Sequence, residues 1–255
     1  MRFSRGTGLR SATAQTVPGP AFAALIRAVY PRLEPELARL ATWAPRGGTA
    51  VDVGAWYGPW TARLSRLADQ VVSIEPNPVL AQLLQARFPA ARVVEAAASD
   101  HSGQARLWLP PGGRGAEGRA SLEHTSQRAI TVRRVTIDGL GLTDVRLIKM
   151  DIEGHEALAL RGAEQTITRD SPVLIVEVET RHQPIEDVLG LLSEWGYRGK
   201  VMPKRSWVPL SRFDLAAHQK ANAHVAARGM LGRLAHPTER YVNLVLFERA
   251  DAAVG

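Results

Sequence analysis

The segment Thr49-Ala-Val-Asp-Val-Gly-Ala-Trp-Tyr-Gly-Pro-Trp-Thr61 constrains this chain more than any other. Thr49 to Val53 is short, apolar and β-branched, which suits a buried strand. Gly54 and Gly58 punctuate it, and from Trp60 to Ala68 the residues Trp60, Leu64 and Leu67 recur at helical spacing. Strand, glycine turn and helix form the entry unit of a doubly wound α/β sheet, whose ligand lies beyond the carboxyl ends of the strands. The remaining chain supplies the other layers. Strands are expected over 70–75, 92–97, 145–150, 171–179, 196–202 and 240–247, with helices from Pro78, after Asp151 and over 185–195.

The position of Asp52 narrows the ligand. A dinucleotide fold places a diphosphate at this turn, and an adjacent carboxylate would repel it. A sulfonium cofactor with an amino-acid tail has no phosphate and a cationic end, so the residues point to S-adenosylmethionine (SAM). Glu75 closes the next strand at a spacing that suits hydrogen bonds to ribose hydroxyls. Its alternative role is to cap the helix begun by Pro78. Small residues from Ala98 to Gly103 would let an adenine ring approach the backbone.

A second informative stretch is Lys149-Met-Asp-Ile-Glu-Gly-His-Glu156. Asp151, Glu153 and Glu156 crowd carboxylates that repel one another unless a cation is near, and a sulfonium, a metal ion or Lys149 would serve. A helix dipole accounts for Glu153 and Glu156 better than for Asp151. Glu177 and Glu179 share one face at the end of the 171–179 strand.

Domain limits follow from punctuation. Residues 1–20 read as a flexible tail, and 21–48 as a helical cap broken by Pro31 and Pro35. Residues 49–250 read as the catalytic domain. Within it, 105–137 is a β-hairpin insertion whose glycine-rich tip lacks the Lys-Ser/Thr of a phosphate loop. His124 in that loop is read as solvated. Residues 203–240, with a short helix from Leu215, are expected to act as a lid or acceptor loop.

Bulk properties exclude several classes. The chain has 255 residues and no cysteine, so disulfides, thiolate metal sites and a cysteine nucleophile are ruled out. No apolar run approaches the ~18 residues of a membrane span. No apolar stretch follows Arg2, Arg5 and Arg10 to make a secretory signal, and a cytoplasmic location is expected. The net charge of +7 comes from scattered arginines, without the aromatic interleaving of a single-strand binder. Nucleic acid is therefore not the expected partner.

Together these stretches resemble the FkbM-type methyltransferases, a branch of the class I SAM-dependent fold. The resemblance runs from about Thr49 to Phe247. It rests on Asp52-Val-Gly-Ala-Trp-Tyr-Gly58, Ser73-Ile-Glu75-Pro76, Ala96-Ala-Ala-Ser-Asp100 and the 149–156 octet. Pro172 to Glu179, Phe213-Asp with His218-Gln219, and Tyr241-Val-Asn with Phe247 add to it. Trp56 departs from the family's small or polar residue, and Leu244 follows Asn243 where a second Asn is expected. The resemblance implies a Rossmann-like sheet of seven strands, the last antiparallel, with helices on both faces. It implies methyl transfer to a hydroxyl of a sugar or secondary-metabolite scaffold. It also implies cofactor contacts at Asp52, Gly54, Ala55, Tyr57, Gly58, Glu75, Pro76, Ala97 and Asp100.

Transfer to an alcohol wants a base beside the methyl group. Asp151 and His182 are the candidates, with Glu153 beside them, whereas His155 is expected to point away. In an alternative, Asp151 with Glu177 or Glu179 would hold a divalent cation such as magnesium that acidifies the hydroxyl. Rival classes are an RNA methyltransferase and a non-catalytic SAM-binding module. The acidic 151–153 stretch argues against the first, and the full set of carboxylates and glycines against the second.

Overall fold

The computed structural model describes residues 19–111, 120–122, 128–236 and 239–250. The expected tail up to residue 18, most of the hairpin's glycine-rich tip, and His124 lie outside them. The strand expected at the start is β1 (Thr49–Val53), and it pairs in parallel with β2 (Gln70–Ile74) and β7 (Val145–Met150). β3 (Arg92–Val94) extends one side, and β8 (Val173–Glu177) the other. β11 (Leu244–Arg249) then inserts antiparallel between β8 and β9 (Tyr197–Val201). A two-residue β10 (Val208–Pro209) pairs with β9, so the sheet has eight strands rather than seven, in the order β10-β9-β11-β8-β7-β1-β2-β3.

Burial on both faces explains the unbroken apolar runs of the central strands. One face packs Val51, Val53, Ile148 and Val176 against α6 (Glu156–Arg161), α7 (Glu164–Asp170) and α8 (Ile185–Glu194). The other packs Ala50, Leu147 and Ile175 against Leu37, Leu40 and Leu64. Those leucines come from the short helices α2 (Pro35–Ala38), α3 (Leu40–Trp43) and α4 (Thr61–Leu64). The helix expected over 60–68 is thus only one turn long, because Ser65 to Leu67 continue as turns. α1 (Gly19–Val29) buries Phe22, Ala23 and Ile26 against Tyr57 and Leu80. Leu80 belongs to α5 (Pro78–Arg87), whose start Asn77 caps by accepting from the Val79 amide at 3.0 Å.

The expected strand at 92–97 breaks. β3 stops at Val94, and β4 (Ala97–Ala98) leaves the main sheet to pair with β6 (Arg128–Val135). β5 (Gly103–Leu109) is antiparallel to β6, which makes the expected hairpin the body of a separate three-stranded sheet. α6 and α7 press on this junction. A Cβ on Gly162 would stand 1.9 Å from the Ser99 carbonyl oxygen, so only glycine allows the approach. Residues 203–240 carry α9 (Leu215–Ala221), α10 (Ala223–Ala226) and α11 (Gly229–Ala235). Gln219, fully enclosed, fastens α9 to the sheet edge: it accepts from the Thr180 amide and donates to the Val178 and Val242 carbonyls.

Candidate active site

The β1 turn and the β7 turn meet at Gly54. Its φ of 73° lies in the left-handed region, and a Cβ there would stand 2.0 Å from the Asp151 carbonyl oxygen. Glycine is therefore the residue that lets the two most informative stretches touch. The Gly54 amide donates to the Ile74 carbonyl, and the Trp56 amide donates to Glu75 Oε2 at 2.8 Å. Glu75 Oε1 accepts from the Asn77 amide at 2.9 Å. Two backbone donors thus hold the carboxylate at the end of β2, and the helix-capping role falls to Asn77. Burial pushes the Glu75 carboxyl up to about 7, against those amide bonds and the Lys149 charge.

A cavity runs beyond the carboxyl ends of β1, β2 and β7. Gly54, Glu75, Pro76 and Ala97 border it, as do Asp151 and Glu153 beside Gly54. Leu107, Ala120 and Leu122 of the hairpin close its wall. The apolar alternation Ala105, Leu107, Leu109 was the sequence signal for that wall, although it did not say which cavity the face would cover. Trp56 also borders the cavity, resting on Tyr30 and Tyr57 at centroid distances of 5.5 and 5.0 Å.

Several predicted residues stand elsewhere. Asp52 does not border the cavity: it is fully buried, accepts from Thr61 Oγ1 at 2.6 Å, and faces Lys149 Nζ at 3.4 Å. The reason is strand alternation, since Val51 and Val53 point to the cavity face and Asp52 to the other. Ala55 and Tyr57 are buried outside the lining, Tyr57 against Phe22 at 5.3 Å. Gly58 packs against Phe88 and Leu84. Asp100 turns outward to His101 and Ser99. His155, expected to point away, borders the cavity instead, and its Nε2 lies 3.0 Å from Ser99 Oγ.

The acidic pair has its own supports. Lys149, enclosed within the sheet, donates to the carbonyls of Val53 at 3.1 Å and Gly54 at 2.8 Å, and its Nζ is 3.9 Å from Asp151 Oδ2. Burial would lower its pKa, yet the Asp52, Asp151 and Glu34 carboxylates outweigh this and hold it raised. Glu156 folds back on the turn: Oε1 accepts from the Ile152 amide, and Oε2 from the Gly154 amide and the Gln183 side chain. Its role is to fix the loop, and burial pushes it up to about 7. Glu153 adopts a φ of 53°, and its Oε2 meets His182 Nε2 at 3.0 Å. This contact raises the His182 pKa against its partial burial. His182 itself stands behind Glu153 rather than in the cavity lining.

Of the metal set expected from sequence, only part comes together. Carboxylate oxygens of Asp151, Glu153 and Glu177 lie within 4.8 Å of one another. Glu179 does not join them, because Arg181 grips it with two bonds of 2.9 Å and Tyr241 donates to it. Glu153 takes its place.

A model of the methyltransferase FkbM domain matches residues 52–198, more than half of the chain. The chain belongs to the FkbM methyltransferase family. The matched segment is thus a methyltransferase domain. No curated protein matches this FkbM-family chain. Among solved structures it is similar to the methyltransferase FkbM from Methylobacillus flagellatus KT, with 19% identity over 79% of this chain and a TM-score of 0.45. That match spans 58% of the relative, less than two thirds of its length. It is also similar to a TehB-like SAM-dependent methyltransferase from Corynebacterium glutamicum, with 15% identity, 91% of this chain, 100% of that one and a TM-score of 0.46. A SAM-dependent O-methyltransferase from Thermotoga maritima matches with 10% identity, 85% and 65% coverage, and a TM-score of 0.43. Among the described residues no helix is long and apolar enough to cross a membrane.

Proposed function

We propose that this methyltransferase moves the methyl group of SAM to a hydroxyl of a small molecule, of the sugar or secondary-metabolite kind. One observation carries the reading: a single cavity is bordered both by Glu75, held by two backbone amides, and by the acidic pair Asp151 and Glu153. The nucleoside would lie against Glu75, Pro76 and Ala97, with the sulfonium toward Gly54 and Asp151. In the reaction the S–CH3 bond breaks as an O–CH3 bond forms, leaving a neutral thioether. Alignment of donor and acceptor is worth up to ~7–11 kcal/mol in such a displacement. The hydroxyl proton needs a receiver. Asp151 orients the hydroxyl, while Glu153 backed by His182 forms a carboxylate–imidazole pair that takes the proton.

The acceptor side is built by the N-terminal cap and the 203–240 segment. Met230 of α11 packs on the same apolar cluster as Tyr30 and Trp56, and Trp56 borders the cavity. The carboxylates that border the cavity disfavour a phosphate backbone, which supports a small molecule over RNA. The test is methyl incorporation from labelled SAM into a panel of hydroxylated sugars and natural products, with bulk RNA beside it. Transfer to a hydroxylated small molecule is expected, lost in Asp151→Asn by ~100-fold or more. Selective transfer to RNA at physiological salt, or calorimetric binding of NAD without SAM, would overturn the reading.

A further inference from the structure

Three carboxylates converge where the carboxyl ends of β7 and β8 lie side by side. Oxygens of Asp151, Glu153 and Glu177 fall within 4.8 Å of one another. Glu177 is 6% exposed, and of its two oxygens one accepts from Asn243 Nδ2 at 2.5 Å while the other, Oε2, is buried without a partner. A buried carboxylate oxygen with nothing to accept from is costly, and here two further carboxylates adjoin it.

The neighbouring cations do not answer this charge. Lys149 Nζ is engaged by Asp52 and the carbonyls of Val53 and Gly54, and of the three carboxylates it reaches Asp151. Arg181 is turned to Glu179. His182 meets Glu153 through one oxygen. Among the described residues none of these cations forms an ion pair with Glu177.

We propose that Asp151, Glu153 and Glu177 form a binding site for one divalent cation of the magnesium or manganese type. The donor set is all oxygen and anionic, which suits a hard ion rather than zinc. Oxygens around magnesium sit ~2.0–2.1 Å from the ion, so trans ligands are about 4.1 Å apart. The oxygens lie within 4.8 Å of one another, so a shift of at most about 1 Å by side-chain rotation brings them to that spacing. Asp151 and Glu153 border the cavity, so an ion there would keep open positions toward an acceptor oxygen and lower its pKa. Glu177 anchors it from inside the sheet. Such a site depends on these three side chains and not on which acceptor is methylated.

The experiment uses the full chain, stripped with chelator and titrated with manganese(II) while the free ion is followed by electron paramagnetic resonance. One ion per chain is expected to bind. Glu177→Gln and Glu153→Gln should each weaken it tenfold or more, whereas Asp144→Asn, an exposed carboxylate at the far end of β7, should not. Manganese should also raise the melting temperature of the wild type and leave that of Glu177→Gln where it was. Without metal, Glu177→Gln should melt no lower than the wild type, since the amide keeps the shape of the side chain and relieves the crowding of three carboxyl groups. No uptake at about 1 mM manganese, the weak end of protein sites for such ions, would overturn the proposal. Uptake that is unchanged in both glutamine variants would do the same. SAM binding, measured by calorimetry in chelator, bears on the methyl-transfer reading and not on this one.

Discussion

Lys149 shows how one residue can join two stretches that are far apart in sequence. Its ammonium bridges the carbonyls that end β1 and the buried carboxylate of Asp52, while its own strand delivers Asp151 two residues later. Removing one partner of a buried pair leaves an uncompensated charge, at a cost of ~3–5 kcal/mol. Lys149→Ala should therefore lower stability by about that much in urea unfolding, and Asp52→Asn by less, since Thr61 can still donate to it. The same scale decides the proton receiver. Glu153 raises the His182 pKa, so as pH rises His182 becomes a base only above its ordinary range. The acid limb of kcat is expected above that range in the wild type and at lower pH in Glu153→Gln. A pH–rate profile that Glu153→Gln leaves in place would remove His182 from the reaction.

At the scale of elements, the turns carry more of the site than the helices do. Gly54→Ala would drive a methyl group into the Asp151 carbonyl at a positive φ, and it should part the β1 and β7 turns. Overpacking of this kind costs ~1–3 kcal/mol, and SAM affinity measured by calorimetry should fall with it. These turns were legible in the sequence, because a glycine or an acid placed directly after an apolar run marks the carboxyl end of a strand. Most of the strands and the hairpin were legible too, through runs of β-branched residues and through alternation. What stayed hidden was set by contacts. Asp52 looked like a ligand residue until strand parity turned it to the far face. His155 looked averted until the start of α6 and Ser99 placed its ring at the cavity. The break between β3 and β4 had no local mark, since Arg92 to Ala97 reads as one strand and only the pull of β6 divides it.

The whole molecule concentrates buried carboxylates at one end of its sheet, and this sets how its stability must vary with pH. Burial raises Glu34, Glu75 and Glu156 to about 7 each. Each is near 4.5 in the unfolded chain, so between those values the folded state holds more protons than the unfolded one. Their contribution is fully present below about 4.5 and is lost as pH rises through about 7. The raised His182 acts in the same direction, over a window that starts at its ordinary value and closes at its folded one. Each pH unit of difference is worth ~1.4 kcal/mol per group, so the buried three together amount to roughly 10 kcal/mol at most. The ligand-free protein in chelator is therefore expected to melt at progressively lower temperature from pH 5 to pH 8. SAM should oppose the trend, because ribose hydroxyls donating to Glu75 favour its ionised form. Scanning calorimetry with and without SAM across that range is the check. A melting temperature that rises with pH in the ligand-free protein would mean that these carboxylates are ionised and paired in the fold, against the burial that surrounds them.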